Sequence, residues 1–257
     1  NIVFTAVGVA SSGYFTSVAP TGLPYSILID SAKIQNTKLS IGDEIAVFDD
    51  TLCVGVGTVF SNDLCLKTTG NGYIQVPTIT LPSSFTLEAS AKFPLPSTSG
   101  GYRTLYQHAG NHHHILIHSN GTLGLYNSSF YSSGFNVNTL TAGWHHIAVT
   151  SNGSRTKFYV DGDLVGTIPN VQGNPVNYIG NCPSCNQHTG LTDEYRIWNY
   201  ERSSEQLKAN MHRSLIGNET GLLAYWNFNN ETAEDLSANS FNGTLFNTSK
   251  LIFGGPI

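Results

Sequence analysis

The chain has 257 residues, of which 40% are hydrophobic and 11% are charged, whereas charged residues make up roughly 25% of typical soluble domains. This length allows one large β domain or two smaller ones. The formal net charge of −5 provides no basic face for nucleic acid, and no apolar run approaches the ~20 residues that a membrane-spanning helix needs.

The first 62 residues form the first predicted domain. Strands are predicted near residues 3–9, 25–34, 44–49 and 52–60, and "FDDTL" is typical of a tight hairpin turn between the last two. About four strands are too few for a closed two-sheet sandwich of ordinary size. We therefore expect a small, incomplete β-sandwich-like module with an open edge or an unfilled groove.

The segment "NIVFTAVGV" (1–9) is apolar and uncharged. It can add main-chain hydrogen bonds to the open edge of a neighbouring subunit, and such head-to-tail contacts build a fibre because they do not close. The residues predicted to mediate this strand donation are Ile2, Val3, Phe4, Val7 and Val9. In the alternative, the gap is filled within the same chain, by residues 1–9 or by "KLIFGGPI" (250–257), a predicted C-terminal strand or tail.

Residues 63–249 form the second predicted domain, in which strand patterns dominate. In "SFTLEASAKF" (84–93) the apolar residues share one face and Glu88 and Lys92 the other, which predicts a half-buried strand. Within residues 143–166 two hairpins are predicted, the second turning at Asp161-Gly162. Many short strands joined by Gly and Asn turns predict an all-β, antiparallel sandwich or jelly roll.

One helix is predicted within "RSSEQLKANMHR" (202–213). Ser203 is the expected N-cap, and Gln206, three residues later, completes a capping-box pattern. Leu207 and Met211 are four residues apart and are expected to dock on the sheet. We interpret this helix as a short strap on the sandwich.

Several segments of the second domain carry a resemblance to a known family. In chain order they are "GYIQVP", "SFTLEASAKF", "GWHHIAVTSNGSRTKFYVDGDLVG", "YIGN", "GLTDEYRIWNYERSSEQLKANM", "GLLAYWNFN" and "DLSANSFNGTL". With this order and spacing, about residues 64–247 resemble a laminin-G-like, concanavalin-A-like jelly-roll domain. Residues 1–60 are similar to a small β module that accompanies such domains in bacterial secreted and surface proteins, here in a shortened form.

Histidines are the first candidates for a metal or catalytic centre. Period-two alternation sends His145 and His146 to opposite faces, and in the resembled family this Trp-His-His strand is structural. Alternation also separates the triplet 112–114, so that only its first and third members share a face. The remaining candidates are His112, His114, His118 and His188. Nothing near them supplies the open coordination geometry of a catalytic zinc, so no metal ligands are predicted.

The acidic residues form no catalytic pattern, and we predict that the chain is not an enzyme. Glucanases of the resembled architecture carry Glu-x-Asp-x-x-Glu on one strand, which projects the carboxylates together into the cleft; no such run occurs here. Asp193 and Glu194 are instead expected to be buried and satisfied by hydrogen bonds. No cofactor is predicted, although many relatives bind calcium at one edge. Its ligands stay unassigned, with Asp161, Asp163 and Asp235 as candidates.

Four cysteines form two local pairs, Cys53 with Cys65 and Cys182 with Cys185. Two short-loop disulfides are the favoured interpretation, and a redox-active CxxC or half of a zinc site is the alternative. The spacing between Cys53 and Cys65 is too wide for a typical zinc pair. Four cysteines still allow three connectivities, so the pairing stays open.

Glycosylation sequons also favour an extracellular or cell-surface location. They begin at Asn120, Asn127, Asn152, Asn218, Asn230, Asn242 and Asn247. The start at Asn1 rather than at Met fits a mature protein whose leader was removed, and equally a shortened chain.

The main functional hypothesis is an extracellular structural or adhesive protein that self-associates into a homo-polymer by strand donation. The alternative is a secreted, lectin-like carbohydrate-binding module. In that case the aromatic residues of "LYNSSFYSSGF" (125–135) would stack on sugar rings, although a loop that packs its own aromatic residues has the same composition.

Overall fold

The computed structural model describes residues 63–256 and, before them, the backbones of β1 (Ile2–Val7), β2 (Lys33–Ile34), β3 (Thr37–Lys38), β4 (Glu44–Asp49) and β5 (Leu52–Thr58). The chain divides into two compact units. One contains residues 1–63 and 252–255, and the other contains residues 64–251 and 256–257.

In the first unit, β1, β4 and β5 form an antiparallel sheet in that order. Asp49 lies opposite Leu52, so β4 and β5 form the hairpin predicted from "FDDTL". β2 and β3 pair with each other. Of the strand predicted at 25–34, residues 25–32 lie outside the described residues.

The β1 strand pairs with β4 of the same chain, from Ile2 opposite Asp49 to Val7 opposite Glu44. Main-chain groups of β1 therefore find partners within the chain, as in the intrachain alternative. The side chains predicted to mediate donation, and the whole of Val9, lie outside the described residues. Donation to a neighbouring subunit stays a prediction.

The remaining strands build the jelly roll. They are β6 (Leu64–Lys67), β7 (Tyr73–Ile79), β8 (Phe85–Phe93), β9 (Arg103–His108), β10 (His112–Ile117), β11 (Thr122–Tyr126), β12 (Phe130–Asn136), β13 (Gly143–Ser151), β14 (Thr156–Val160), β15 (Asp163–Ile168), β16 (Val176–Ile179), β17 (Leu191–Trp198), β18 (Leu222–Trp226), β19 (Thr244–Phe246) and β20 (Lys250–Phe253). A short 3₁₀ helix spans Val137–Thr139, and the α-helix α1 spans Ser204–Asn210.

Two antiparallel sheets form the sandwich. The seven-stranded sheet has the order β12-β11-β10-β9-β16-β7-β19, and the eight-stranded sheet has the order β15-β14-β13-β8-β17-β6-β20, with β18 beside β17. Tyr106 of β9 is fully buried between them. Its hydroxyl donates to the carbonyl oxygens of Glu88 (2.7 Å) and Arg196 (3.1 Å) in the opposite sheet. The predicted all-β jelly-roll sandwich with one short helix is confirmed.

The predicted hairpins and helix cap form as expected. Asp161 and Gly162 adopt φ angles of +49° and +76°, the left-handed pair that a two-residue type I′ turn requires between β14 and β15. Ser203 and Gln206 form the reciprocal capping box. Leu207 is fully buried against the eight-stranded sheet, whereas Met211 is the half-buried C-cap residue.

The prediction that β8 is half-buried is wrong. All of its residues are buried except Lys92, because the second face is also covered. The Glu88 carboxylate accepts hydrogen bonds from the Trp198 indole (2.6 Å) and the Arg202 guanidinium (2.7 Å). That guanidinium also donates to the carbonyl oxygen of Gln206 in α1 (2.7 Å). The helix and the residues that lead into it therefore cover this face of β8.

No helix among the described residues is long and apolar enough to span a membrane.

Candidate functional site

The outer face of the seven-stranded sheet carries a continuous row of paired residues, which we call the outer row. From one edge strand to the other it consists of Thr244, Gln75, Tyr178, Gln107, His113, Tyr126 and Phe130. The neighbouring positions Ile74, Ile179 and Tyr106 are paired in the same way and face the core. Because side chains alternate along a strand, the outer row points away from the sandwich.

A cleft of about 570 Å³ lies over the middle of this row. Gln107 of β9 and Tyr178 of β16 form its floor, since both lie on the outer face and line the cleft. Residues 99–102 precede β9 and residues 182–187 follow β16, so these two segments stand at the same end of the antiparallel pair. Ala109 and Asn111 stand at the other end. The walls therefore lie at the strand ends, and the floor continues across the strands.

The wall at residues 99–102 is held by side-chain contacts to the backbone. The Arg103 guanidinium donates to the carbonyl oxygens of Pro96 and Gly101. The Thr98 hydroxyl donates to the carbonyl oxygen of Tyr102 (2.9 Å). Tyr102 is thus held directly before the first residue of β9, and its side chain is half-buried.

The wall at residues 182–187 is closed by a disulfide between Cys182 and Cys185. The Asn181 carboxamide accepts a hydrogen bond from the amide N–H of Gln187 (3.0 Å). Asn186 donates from Nδ2 to the Ser99 hydroxyl (3.1 Å), which joins the two segments at this end of the cleft. These contacts hold the Asn186 and Gln187 amides beside the floor.

The Gln107 amide is the most informative group of the floor. The side chain is only 3% exposed, and its Oε1 has no hydrogen-bond partner among the described residues. The half-buried Gln187 also has a buried Oε1 without a partner in this part of the chain. A buried acceptor that lacks a donor costs about 1–3 kcal/mol. Both oxygens lie beneath the surface of the cleft, with almost no exposed area of their own.

The cleft is electrically neutral. Its lining consists of Tyr, Asn, Gln, Ser, Gly, Ala, Pro and disulfide-bonded Cys residues, none of which is charged at neutral pH. His113, next to Gln107 in the outer row, is buried with Nδ1 3.0 Å from the Thr104 hydroxyl. Burial lowers the pKa of His113 to about 4, with the neighbouring imidazoles His114 and His112 adding to the effect. The imidazole therefore adds no charge beneath the cleft.

Histidines 145 and 146 have separate structural partners. His145 Nδ1 lies 2.7 Å from the Asp161 carboxylate, and His146 Nε2 lies 3.0 Å from the buried Glu88 carboxylate. They do not form a common site.

The second histidine group departs from the predicted alternation. The register of β10 shifts between His113 and Ile115, so His112 and His114 are not simply two positions on one face. His112 stacks on His108, and His114 Nε2 lies 2.8 Å from the carbonyl oxygen of Asn174. Within the described ranges, no group of three or more His, Cys, Asp or Glu residues could hold a metal ion.

The remaining histidine candidates have other neighbours. His118 Nδ1 lies 3.2 Å from Asn120 Oδ1, whereas His188 is buried, and burial together with the charge of Arg103 lowers its pKa.

The candidate calcium ligands already form hydrogen bonds or ion pairs with other residues of the chain. Asp161 accepts from the backbone N–H of His146 (2.9 Å), and Asp163 pairs with Lys208. Asp235 is buried, and both of its oxygens accept hydrogen bonds from its own loop. These three carboxylates do not fit a common calcium site, and calcium binding by other oxygen ligands stays untested.

The adjacent carboxylates of β17 are both buried. Asp193 accepts from the backbone N–H of Glu194 (2.7 Å). Glu194 accepts from Arg196 and from the Tyr225 hydroxyl (2.8 Å). Both side chains occupy structural positions, and neither lines the cleft.

The predicted covalent sites are described in part. Cys65 is buried, but the side chain of Cys53 lies outside the described residues, so their pairing stays a prediction. Six of the seven sequon asparagines are exposed, and Asn127 is half-buried. Their glycosylation also stays a prediction.

The sequence did not predict the floor of the cleft. Gln107 and Tyr178 become neighbours only because β16 inserts between β7 and β9, and nothing local marks that pairing. The aromatic stretch 125–135 lies in β11, β12 and the turn between them. It contributes Tyr126 and Phe130 to the outer row but does not line the cleft. The "NCPSC" motif is the one local sequence feature that marks the cleft, because its disulfide closes one wall.

Comparisons with known proteins agree with this architecture. The family model described as "Concanavalin A-like lectin/glucanases superfamily" matches residues 68–208. A crystal structure of a candidate carbohydrate binding protein from Bacteroides ovatus ATCC 8483 is 23% identical, with a TM-score of 0.61 over 84% of this chain and 69% of that chain. The native heptameric SAP-like pentraxin from Limulus polyphemus is 14% identical, with a TM-score of 0.50 over 74% of this chain and 95% of that chain. No curated protein sequence matches the chain.

Proposed function

We propose that this chain, which belongs to the concanavalin A-like lectin/glucanases superfamily, is a carbohydrate-binding module that holds a neutral glycan in the cleft over Gln107 and Tyr178. The observation that carries the proposal is an uncharged cleft lined by the amides of Gln107, Asn186 and Gln187 and by the rings of Tyr102 and Tyr178. Sugars present hydroxyl groups and apolar ring faces together. The cleft matches them with amides and with the rings of Tyr102 and Tyr178.

The chemistry of the cleft favours neutral sugars and argues against hydrolysis. Binding of a uronic or sialic acid calls for a cation, and glycoside hydrolysis requires a pair of carboxyl groups across the scissile bond. None of the residues that line the cleft provides either group. We therefore propose a binding module without catalytic activity.

Further support comes from the wider molecule. The similar Bacteroides ovatus protein is described as carbohydrate binding, and the disulfide between Cys182 and Cys185 is compatible with our proposal of an extracellular protein. The filament hypothesis has less support because β1 already pairs with β4 of the same chain. A carbohydrate-binding role needs no donated strand.

The test begins with the full chain on an array of neutral and acidic glycans, followed by calorimetric titration of the neutral glycans that bind. Tyr178→Ala removes a ring from the floor, and Gln107→Met removes the amide at nearly constant volume. Both variants should lose most of the binding. Gln107→Met should keep or raise the melting temperature, because it removes an unsatisfied buried acceptor.

The matched control is Tyr131→Ala in β12, a half-buried tyrosine that does not line the cleft. It should bind as the parent chain does. Loss of binding in Tyr131→Ala with normal binding in Tyr178→Ala would move the site to the aromatic stretch 125–135. The absence of any glycan ligand, or a preference for acidic glycans, would refute the proposal. Release of glycan cleavage products would refute a purely binding role.

A further inference from the structure

The aromatic surface of the cleft continues outward on the side of β19. Tyr178, in the floor, packs edge-on against Tyr73 of β7, with ring centroids 5.5 Å apart. Tyr73 stacks on Phe246 of β19 at 5.1 Å, with the two rings nearly parallel. Phe246 is 37% exposed, and among the described residues it is the one aromatic side chain in the group of exposed large hydrophobic residues. The ring series thus leads from the cleft to the edge of the sheet.

A second series continues on the side of β12. Tyr102, in the wall, packs edge-on against His118 at 4.9 Å. The His118 ring lies 4.8 Å from the Phe130 ring. Phe130 covers Gly124 of β11, where an added Cβ would lie 2.7 Å from the phenyl ring. The glycine therefore lets the Phe130 ring lie close against the sheet at its other edge.

Both series lie on the outer face. Tyr178 and Phe130 belong to the outer row. Tyr73 is paired with Phe246 and is two residues from Gln75, another member of that row. Seven strands at about 4.8 Å spacing give the face a width of roughly 29 Å between its edge strands. This width is several times that of one sugar ring.

We propose that the cleft holds an internal segment of an extended glycan chain, which runs across the strands and continues over Phe246, supported from below by the buried Tyr73, on one side and over His118 and Phe130 on the other. This inference rests on the proposed function and adds the class of ligand. The walls stand at the strand ends, so they confine a chain laterally and leave both directions across the strands available. A site for a chain end would use rings beyond the cleft on one side only, whereas here rings lie on both sides.

The experiment titrates the full chain with β-glucan, mannan and arabinan oligosaccharides from disaccharide to hexasaccharide. Affinity should rise with length in the series that binds. Phe246→Ala should weaken hexasaccharide binding about tenfold, a loss of about 1.4 kcal/mol, and leave disaccharide binding unchanged. Phe130→Ala should act in the same way from the other side, whereas Tyr178→Ala should weaken binding at every length.

The control is Leu164→Ala, which removes an exposed hydrophobic side chain of β15 in the opposite sheet. It should bind ligands of every length as the parent chain does. Phe246 lies at the edge of the sheet and stacks on Tyr73, so its variant should stay folded with only a small decrease in melting temperature. A hexasaccharide with a reduced terminal residue should bind as well as the unmodified one.

Two results would overturn the inference and leave the proposed function standing. One is disaccharide binding that is lost in Tyr178→Ala but does not strengthen with length. The other is hexasaccharide binding that is abolished by modification of its terminal residue. If no oligosaccharide binds at any length, the proposed function fails together with the inference.

Discussion

Acidification should destabilise the jelly roll through two buried imidazoles, His113 and His114. Burial lowers the pKa of each from 6.5 to about 4. The folded chain therefore keeps both rings neutral at a pH at which the unfolded chain has already bound protons.

Proton linkage gives the sign of the change in the free energy of unfolding with pH. Between pH 6.5 and about 4 the unfolded state binds more protons than the folded state, so the free energy of unfolding falls as the pH falls. At about pH 5 the loss is about 2 kcal/mol per imidazole, and below pH 4 it approaches about 3 kcal/mol each. For the pair at about pH 5, a loss of about 4 kcal/mol is a large part of the 5–15 kcal/mol typical of a folded domain.

Urea unfolding at neutral pH and at about pH 5 measures this loss directly. The double variant His113→Asn with His114→Gln should be less stable than the parent chain at neutral pH but should lose much less stability on acidification. The control is His212→Gln, which replaces an exposed histidine. Equal parental stability at both pH values, or an unchanged pH dependence in the double variant, would refute the reasoning.

Three further predictions concern single contacts. Glu88→Ala removes the acceptor of a buried guanidinium and a buried indole, so thermal unfolding should show a loss of about 3–5 kcal/mol, whereas Glu205→Ala, on the exposed side of α1, should change little. Ser203→Ala removes the helix cap and should cost about 1 kcal/mol in the same assay. Replacing Cys182 and Cys185 together by Ser opens one wall of the cleft. The short loop limits the loss of stability to about 2 kcal/mol, so a titration should show a clear fall in glycan affinity while the chain stays folded.

The sequence predicted elements whose signals are local. The turn at Asp161-Gly162 depends on two residues that tolerate left-handed backbone angles, and the cap of α1 depends on Ser203 and Gln206 alone. Each was confirmed because distant parts of the chain hardly influence it. The order and spacing of the family segments supplied the jelly roll, which local patterns alone could not distinguish from another antiparallel sandwich.

The features that the sequence did not predict correctly share a physical cause: they depend on contacts between segments that are distant in the chain. Alternation in β8 correctly separated Glu88 from the apolar residues but could not show that Arg202 and Trp198 would cover its face. The floor of the cleft depends on the insertion of β16 beside β9, which no pattern around Gln107 or Tyr178 records. The aromatic composition of residues 125–135 pointed to the correct sheet and to one of its edges, but not to its centre.

The two-residue period of β7, β9 and β16 has a consequence for how this surface can change. Tyr106, Ile179 and Ile74 fill the interior, and the residues directly after or before them in the chain face outward. Residues that pack in the core and residues that face the proposed glycan site therefore alternate along the same strands. Substitutions confined to the outward-facing positions would change the surface of the proposed glycan site and leave the packing between the two sheets unchanged.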